Sequence, residues 1–562
     1  MAARCPVVRG MLRQPSKLTL SNAGVAAEMP VVDQQSLELA LQSIARHGDT
    51  DIFPLPIENH WFHDAPDGVV EILQSIDATF DEFVAEYPVV FAKELSGVGY
   101  SGFRAATQID PVWNAYLLGL VLQLGHDIEA ARAGRDRIFS YRYSPDPEQK
   151  TLFAPDLGWG ALQREALTRA QSATYVLATD ISDFYPRIYH HRLENALGRA
   201  TQNKEAVRRI KVLLFRLAGE TSYGLPVGGN AARLLAELVL NSSDRLLAAR
   251  GVNFVRFVDD YYLFVESRQH AHAALVTLSE SLMLDGLSLA RAKTRIMSRA
   301  EFVRASPIAD PAVSESEGEL EARKFLKLRL RYDPYSQTAE EDYDRLSAEL
   351  EKFDVVGMLT REFDKSRIDE ALVRHLVRSV RFLKPTVRDQ AIESLLTNLE
   401  VLYPVFPTVV ILLLRVIGEL DTPVRSRVFQ VFREIVRGGS HIVLVSTNLA
   451  YALRLLAFDP DAEADALLIA TYERPNVSMM TKRDVIIAMA KRGSTYWLSV
   501  VIRRFAILTP WERRALLVAS YTLGDEGRHW RDSVKAQLGA VDQKFLAWVA
   551  ERNNGRVWEP PL

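Results

Sequence analysis

Two adjacent aspartates, Asp259 and Asp260, occur in the stretch RFVDDYYLF (256–264), which is otherwise largely aromatic and β-branched. The flanking stretches NFVRFV (253–258) and YYLFV (261–265) have strand-like compositions, so we expect a hairpin with both carboxylates at its tip. Adjacent carboxylates repel each other and are uncommon in strands. Either they form an ordinary turn without chemistry, or a cation compensates for their charge.

A third carboxylate, Asp180, follows an apolar strand-like run in TYVLATDISDFYPRI (174–188). Magnesium prefers oxygen ligands, and bound cations would cancel the repulsion among the three acids. Two such ions, about 4 Å apart, can activate an attacking 3′-hydroxyl and stabilise a departing pyrophosphate. The three acids therefore predict a site for two Mg²⁺ ions, with Mn²⁺ as an alternative.

The elements that would hold these acids belong to a mixed α+β region over roughly 60–300. From 66 to 130, apolar residues recur mostly at helical spacing. The stretches RIFSYRYSP (137–145) and ATYVLATDISDFY (173–185) are instead β-branched and aromatic, which favours strands. The segment 311–324 is acidic and rich in serine, which is typical of a linker.

The C-terminal third shows no strand alternation beyond about residue 340, and similar helix openings recur along it. The openings are PTVR (385–388), TPVR (422–425), TKRD (481–484) and TPWE (509–512). Their intervals of about 30 to 60 residues include the period of helix-pair repeats. The pattern predicts a HEAT-like α-solenoid that serves as a scaffold or binding surface, with an irregular helical bundle as the alternative.

Composition limits the class of protein. A chain of 562 residues is long enough for about two to four domains, and 48% hydrophobic with 25% charged residues is ordinary for a globular protein. The net charge of −3 neither indicates nor excludes a nucleic-acid partner. The single cysteine, Cys5, excludes an internal disulfide framework and favours a reducing, cytoplasmic setting. No apolar run approaches the roughly 20 residues that a membrane span needs.

Two local patterns have no chemical role in this interpretation. The first 27 residues contain basic side chains but no acid, and they lack an amphipathic helical pattern. We expect a flexible tail or an early start codon there, with a transit peptide as the alternative. The adjacent His190 and His191 suggest a metal site, but neighbouring side chains on a helix diverge, so we expect both to be exposed to solvent.

Four stretches occur in a characteristic order: DISDFY (180–185), GLPVGGNAARLLAE (224–237), FVDD (257–260) and GLSLARAKT (286–294). In this order and spacing they resemble the palm motifs of reverse transcriptases, over residues 174–294. The chain is most similar to the bacterial antiphage-defence and abortive-infection members, the unknown-group reverse transcriptases, many of which carry a helical-repeat C-terminal region. HGDTDIFP (47–54) and IFSYRY (138–143) are also similar to that group.

The resemblance implies an α+β right-hand polymerase, with fingers and palm, followed by an all-α HEAT-like helical repeat domain. On this interpretation, residues 1–60 form an N-terminal extension and 61–310 the fingers and palm. Residues 311–345 would be a linker or thumb-like connection, and 346–562 the helical repeat domain.

The resemblance also implies roles for individual residues. Asp180 and Asp259 would bind the metal ions, with Asp260 beside them and the Ile181 carbonyl contributing to one ion. Lys293 matches the lysine that approaches the nucleotide phosphates and protonates pyrophosphate. An exposed charge at a helix end is the alternative interpretation of Lys293.

Further residues would bind the nucleotide. Tyr185 matches the aromatic residue that packs under the sugar and excludes a 2′-hydroxyl, with a core tyrosine as the alternative. Three arginines lie where fingers residues clamp the triphosphate, because guanidinium binds phosphate bidentately; a solvated basic surface is the alternative. They are Arg135, Arg137 and Arg142. The remaining expected substrate contacts are Val227, Gly228 and Arg233.

The chain departs from templating reverse transcriptases at three places. Val227 replaces a glutamine, Ala232 and Arg233 replace a serine–proline pair, and Phe257 replaces a tyrosine. Valine cannot make the polar contacts of glutamine near the incoming nucleotide and template. The resemblance therefore implies DNA synthesis from dNTPs by two-metal transfer in antiphage defence, with conventional template use in doubt.

The implied partners are dNTPs, RNA or a single-stranded DNA product, and further copies of the chain in a homo-oligomer, but no membrane. Two alternatives stay open. An RNA-dependent RNA polymerase usually has glycine at the position of Val258 and no bulky aromatic at the position of Tyr185. A catalytically silent palm with a helical-repeat scaffold is the other, and the presence of all three acids argues against it.

Overall fold

The computed structural model of the protein describes residues 30–306, 317–328, 330, 339–554 and 558–562. Strands occur only in the first part of this described chain, and every element after the last strand is a helix. The strands are β1 (Phe91–Val98), β2 (Gly102–Ile109), β3 (Tyr143–Asp146), β4 (Thr151–Phe153), β5 (Tyr175–Asp180), β6 (Asn253–Phe257), β7 (Asp260–Val265) and β8 (Arg295–Ser298).

Fourteen α-helices surround these strands in the described chain up to residue 306. They are α1 (Gln34–His47), α2 (Glu58–Asp64), α3 (Pro66–Ala78), α4 (Phe80–Glu86), α5 (Pro111–Gln123), α6 (Gly125–Ala131), α7 (Trp159–Ala170), α8 (Phe184–Arg187), α9 (His190–Ala200), α10 (Lys204–Leu217), α11 (Asn230–Val239), α12 (Asn241–Ala249), α13 (Arg268–Leu284) and α14 (Arg299–Ala305). A 3₁₀ helix, Arg291–Lys293, precedes β8.

The remaining α-helices follow after residue 316. They are α15 (Glu317–Leu326), α16 (Ala339–Leu350), α17 (Val355–Phe363), α18 (Glu370–Ser379), α19 (Pro385–Thr397), α20 (Phe406–Val416), α21 (Thr422–Arg437), α22 (Ser446–Leu456), α23 (Ala462–Tyr472), α24 (Met479–Lys491), α25 (Thr495–Val501), α26 (Pro510–Ala519), α27 (Gly524–Val534) and α28 (Ala540–Arg552). Short 3₁₀ helices join several of them: Val380–Phe382, Tyr403–Val405, Ile417–Glu419, Ile502–Ile507, Ser520–Leu523 and Lys535–Gln537.

A four-stranded antiparallel sheet with the order β6-β7-β5-β8 holds the predicted acids. The strands β6 and β7 form a hairpin whose closing pair is Phe257 opposite Asp260, joined by the two-residue turn Val258–Asp259. The predicted hairpin is therefore confirmed. Successive apolar residues point to opposite faces of this sheet, and helices cover both faces. Val176, Leu177 and Leu263 are buried in this way.

The mostly helical interpretation of 66–130 missed one element. Residues 91–109 form the antiparallel hairpin β1–β2, with Val98 opposite Gly102 at its tip. The turn between them contains Gly99, whose φ of 62° suits glycine. Apolar side chains in β1 do not alternate cleanly, since its outer end is half-exposed, and this hid the strand from a periodicity argument.

The helices after residue 339 are arranged in two rows, in which each helix packs against the next but one. One row contains α17, α19, α21 and α23, and the other contains α18, α20, α22, α24, α26 and α28. The predicted openings are confirmed, because α19 begins at Pro385, α21 at Thr422, α24 at Met479 and α26 at Pro510. Their assignment to HEAT-like repeats stays a prediction.

The helical region packs directly on the first part of the chain. Helix α22 contacts β1, and α28 contacts α2 and α3. At the N-terminal end, α1 packs against α5, where Leu37 lies close to Gly119. Within the predicted connection at 311–345, residues 311–316, 329 and 331–338 lie outside the described residues, as does the predicted N-terminal tail up to residue 29. Among the described helices, none combines the length and apolar character required to cross a bilayer.

Candidate active site

The three predicted acids converge at one end of the sheet. Asp180 ends β5 and Asp260 begins β7, and the antiparallel register places the two residues directly opposite each other. Asp259 occupies the adjoining turn, and its carbonyl accepts the Ile181 N–H at 3.1 Å. A carboxylate oxygen from each acid lies within 4.8 Å of those from the other two. This oxygen-only set suits a hard divalent cation.

The electrostatics of the cluster also favour a cation. Burial, together with the charges of Asp259 and Asp180, raises the pKa of Asp260 to about 7. Burial and the charge of Asp180 raise the pKa of Asp259 to about 6. Both carboxylates thus lose their protons reluctantly in this setting, and a divalent cation would offset their mutual repulsion. The residues present therefore fit the implied magnesium site.

Lys293 already places a positive charge at this cluster. Its Nζ donates a hydrogen bond to Asp180 Oδ2 at 2.5 Å, and this bond raises the pKa of the lysine. The lysine side chain is 66% exposed, so its ammonium faces solvent as well as the acids. A cavity of about 280 Å³ opens beside Asp180, Asp260 and Lys293. The structure therefore places Lys293 beside the acids, and its contact with nucleotide phosphates stays a prediction.

The turn that carries Asp259 has a strained backbone. Val258 has a φ of 53°, in the left-handed region that β-branched residues rarely adopt. Both backbone groups of Val258 are bonded to buried side chains. Its N–H donates to Ser140 Oγ at 2.9 Å, and its carbonyl accepts from Arg256 Nη1 at 2.8 Å. These two contacts hold the turn in its strained conformation.

A buried ionic network supports the two contacts. The Ser140 hydroxyl donates to Glu237 at 2.5 Å, and Glu237 also pairs with Arg132 at 2.6 Å and with Arg256 at 3.0 Å. Arg256 forms a second ion pair with Asp244 at 2.6 Å. All five side chains are buried. Charges of both signs are therefore paired beneath the turn, which limits the cost of their burial.

No sequence pattern predicted this network. Glu237 occurs within the stretch 224–237 and Arg256 within 256–264, and each is a charged residue surrounded by apolar ones. That context is the one local signal, since an isolated charge in a buried helix or strand requires a partner. The partners themselves come from distant segments, so no spacing rule could have paired them.

The loop 224–229 begins the stretch GLPVGGNAARLLAE (224–237) and packs against the stretch DISDFY (180–185). Leu225 donates its N–H to the Tyr185 carbonyl at 2.9 Å. Gly228 has a φ of 130°, and a Cβ added there would lie 2.5 Å from Thr50 Oγ1. The half-buried Val227 contributes its carbonyl, which accepts the Thr107 N–H at 3.1 Å. The predicted substrate-contact positions Val227 and Gly228 thus belong to a tightly packed loop near Tyr185.

Tyr185 and Arg233 both contact this loop, since the Tyr185 carbonyl accepts the Leu225 N–H and the Arg233 N–H donates to the Gly229 carbonyl at 3.3 Å. Burial raises the pKa of the half-buried Tyr185, and the nearby groups of Tyr141, Arg233 and Asp259 also influence it. The Arg233 guanidinium lies 5.2 Å from the centre of the Tyr141 ring and pairs with Asp51 at 2.9 Å. The structure therefore brings Tyr185, Arg233 and Asp259 into one neighbourhood.

The three predicted fingers arginines are placed differently from one another. Arg142 is buried and pairs with Glu129 at 2.7 Å, so its guanidinium is engaged within the fold. Arg137 donates to the Val252 carbonyl, at the end of β6 opposite to the acids. Arg135 keeps a half-exposed side chain, 3.7 Å from Glu129. Among these three, Arg135 has the most exposed side chain, at 52%, against 29% for Arg137.

The two adjacent histidines do not share one environment. His191 is exposed, as expected, and lies 3.3 Å from Glu194. The expectation is wrong for His190, which is buried with its Nε2 2.7 Å from the Gly224 carbonyl. Because the loop 224–229 folds over the start of α9, the first histidine is covered while the second points outward.

Part of the chain is similar to a known protein family. Residues 133–331 match the family model described as reverse transcriptase (RNA-dependent DNA polymerase), just over a third of the chain. Among solved structures, a telomerase from Candida albicans in complex with a TWJ fragment of telomeric RNA is similar at 11% identity. The similarity covers 66% of this chain and 70% of that chain, with a TM-score of 0.27. A search of curated proteins found no match.

The matched region contains Asp180, Asp259, Asp260 and Lys293. Residues 133–331 are therefore similar to reverse transcriptase domains, which belong to the class of nucleotide polymerases. The helices from residue 339 onward lie outside the matched region and form the second part of the molecule.

Proposed function

We propose that this protein is a reverse-transcriptase-type DNA polymerase that joins dNTPs by two-metal nucleotidyl transfer. The observation that carries the proposal is the convergence of three carboxylates within 4.8 Å, at the tip of a hairpin inside the matched domain. Asp180, Asp259 and the Ile181 carbonyl would hold two Mg²⁺ ions, with Asp260 beside them. Bound there, the ions would activate the 3′-hydroxyl and stabilise the pyrophosphate.

The other residues of the site would bind and orient the nucleotide. Lys293, with its pKa raised by Asp180, carries a proton that it could deliver to the departing pyrophosphate. Arg135 and Arg233 would contact the triphosphate, since both present a guanidinium that is at least partly exposed. Tyr185 would pack under the sugar and exclude a 2′-hydroxyl.

We further propose that synthesis does not depend on a conventional template. The support is Val227, whose apolar side chain replaces a glutamine in a loop that is closely packed around Gly228. Sequencing of the nucleic acid that copurifies with the protein would test this. We expect products of biased composition without a complementary partner, whereas products complementary to a defined RNA would contradict it.

Nucleotide incorporation tests the polymerase activity itself. With Mg²⁺, the wild-type protein should incorporate dNTPs in preference to NTPs, and Asp259→Asn should lower the rate by at least about 10³-fold because a metal ligand is lost. Tyr185→Ala should raise NTP incorporation by about tenfold or more relative to dNTPs. Preference for NTPs by the wild type would indicate an RNA polymerase, and no incorporation of either would indicate a silent palm.

We also propose that the protein acts in antiphage defence, in the cytoplasm of a bacterium and as a homo-oligomer. The support is the resemblance of residues 47–54 and 138–143 to the antiphage-defence reverse transcriptases, together with a helical C-terminal region that would be HEAT-like. Phages should form fewer plaques on bacteria that express the wild type than on bacteria that express Asp259→Asn. Equal protection by both proteins would indicate a scaffold role instead.

A further inference from the structure

A short segment connects the helical region, which begins at residue 339, to the loop 224–229. We call Asp49–Glu58 the bridging segment. On the side that faces the loop 224–229, Thr50 Oγ1 lies 2.5 Å from where a Cβ on Gly228 would be, and Asp51 pairs with Arg233 at 2.9 Å. The segment therefore contacts two of the positions that would bind the nucleotide.

The opposite side of the bridging segment is held by arginines of the helical region. Arg454 Nη2 donates to the Leu55 carbonyl at 2.7 Å, and Arg514 Nε pairs with Glu58 at 2.6 Å. Both arginines are buried. These contacts join residues about 400 positions apart in sequence, so they connect the helical region to the bridging segment.

A third arginine faces the start of the segment. Burial raises the pKa of Asp49 to about 6, and the positive charge of Arg483 opposes that rise. Arg483 is 1% exposed and lies over the Trp511 ring at 5.3 Å. Its two Nη atoms and Asp49 Oδ1 have no hydrogen-bond partner among the described residues. Phe53 packs in the same buried cluster as Trp511.

We propose that the helical region positions the loop 224–229 and the neighbouring Arg233 through the bridging segment. Arg454 and Arg483 act as positioning residues: they hold Thr50 against Gly228 and Asp51 against Arg233. This inference rests on the proposed polymerase function for its consequence, namely tighter binding of the incoming dNTP. The physical coupling between the two regions does not depend on that function.

Arg454→Met and Arg483→Met test the inference with little risk to the fold. Asp484 pairs with both arginines, with Arg454 at 2.7 Å and with Arg483 at 2.8 Å. Each variant therefore leaves this buried carboxylate with one cationic partner, which avoids an unpaired buried charge. The matched control is Arg388→Met, since Arg388 is equally buried in the helical region but pairs with Glu419, within that region.

Hydrogen–deuterium exchange on the full chain measures the coupling directly. In both test variants, we expect amides of 49–56 and 224–234 to exchange about fivefold faster or more, with the rest of the chain unchanged. The control variant should exchange like the wild type in both segments. Unchanged exchange, or faster exchange in 49–56 without any change in 224–234, would overturn the proposal.

Nucleotide kinetics provide the second readout. The test variants should raise the KM for dNTPs about fivefold or more while the Mg²⁺ concentration for half-maximal activity stays the same, because the acids lie on the sheet. The exposed variant Asp51→Asn, which breaks the Arg233 pair from the loop side, should raise the KM in the same way. Equal KM values in all these proteins would contradict the inference. If the wild type incorporates no nucleotide, the polymerase function fails and exchange alone decides the coupling.

Discussion

The carboxylates of Asp259 and Asp260 differ from ordinary aspartates because each is partly buried beside another acid. Their pKa values of about 6 and about 7 mean that the native state binds protons that the unfolded chain has already released at the same pH. The cation-free protein is therefore stabilised by these protons at low pH, and it loses that stabilisation as the pH rises through about 4 to 7.

This sign gives a prediction for pH and magnesium. Without divalent cations, the melting temperature should fall between pH 5 and pH 8 in the wild type and fall less in Asp260→Asn. The corresponding difference in the free energy of unfolding is on the order of 1–2 kcal/mol after solvent screening. Magnesium at pH 8 should restore the stability of the wild type but not of Asp260→Asn. Thermal denaturation with and without EDTA measures both effects.

Asp285→Asn is the control for this experiment. Burial raises the pKa of Asp285 as well, but this residue bonds to Ser242, away from the three acids. The control should flatten the pH dependence while keeping the full response to magnesium. A magnesium response that survives in Asp260→Asn unchanged would show that Asp260 takes no part in the cation site.

Ser140→Ala tests the buried support of the strained turn. The change leaves the Val258 N–H without its acceptor, and we expect a loss of stability of about 1–3 kcal/mol. Because Asp259 follows Val258, the magnesium concentration for half-maximal incorporation should also rise about fivefold or more. Stability is measured by denaturant unfolding, and the metal dependence by incorporation assays.

The matched control is Ser281→Ala, which removes another buried hydroxyl, 2.8 Å from Ser243 Oγ. It should cost a similar amount of stability without changing the magnesium dependence. If Ser140→Ala and Ser281→Ala give the same magnesium dependence as the wild type, the network does not position Asp259.

At this scale, the sequence predicted the acids and Lys293 but not their support. Aspartates beside strand-like runs indicate a cation site from local composition alone. Ser140, Glu237 and Arg256 are brought together by three separate segments, and their partners follow from tertiary packing, which no local pattern encodes. The burial of Arg142 against Glu129 was hidden for the same reason.

Among the elements, the β6–β7 hairpin carries two of the acids, and the loop 224–229 packs against the segment that contains Tyr185. The hairpin was predictable because two strand-like runs flank a pair of turn-forming acids. The β1–β2 hairpin was not, since half-exposed side chains along β1 break the alternation. The helix openings at Pro385 and Thr422 were recognisable because proline is favoured in the first turn of a helix.

Gly228→Ala tests the packing of the loop. The added Cβ meets Thr50 Oγ1 at 2.5 Å and places alanine at a φ of 130°, so we expect a loss of about 1–3 kcal/mol and a higher KM for dNTPs. Gly219→Ala is the control, because Gly219 has a φ of 69° but open space around a Cβ. It should cost about 1 kcal/mol and leave the KM unchanged. Equal KM values for both variants would contradict the role of the loop.

For the whole molecule, the helical region and the first part of the chain share one buried core. One ionic link between them is Arg514, which pairs with both Glu58 and Asp110 and is fully buried. Trp511 donates to the same Asp110 at 2.9 Å. Separate domains were expected from length and from the change in pattern near residue 340, but contacts across more than 400 positions cannot be inferred from one sequence.

Arg514→Met should therefore destabilise the whole protein. Removing the arginine leaves Glu58 and Asp110 as buried, unpaired carboxylates, at a cost of about 3–5 kcal/mol. Arg388→Met should cost much less, because its partner Glu419 is 62% exposed and stays hydrated. Calorimetry should show one cooperative transition in the wild type. Two well-separated transitions, with only one shifted by Arg514→Met, would indicate independent domains.

The central claim is that Asp180, Asp259 and Asp260 form one divalent-cation site for nucleotidyl transfer. The most direct measurement is anomalous diffraction from crystals grown with Mn²⁺ and a dNTP. We expect two manganese peaks about 4 Å apart, each within about 2.5 Å of an oxygen of Asp180 or Asp259. An Asp180 carboxylate directed away from the β6–β7 turn, with no manganese between them, would contradict the account.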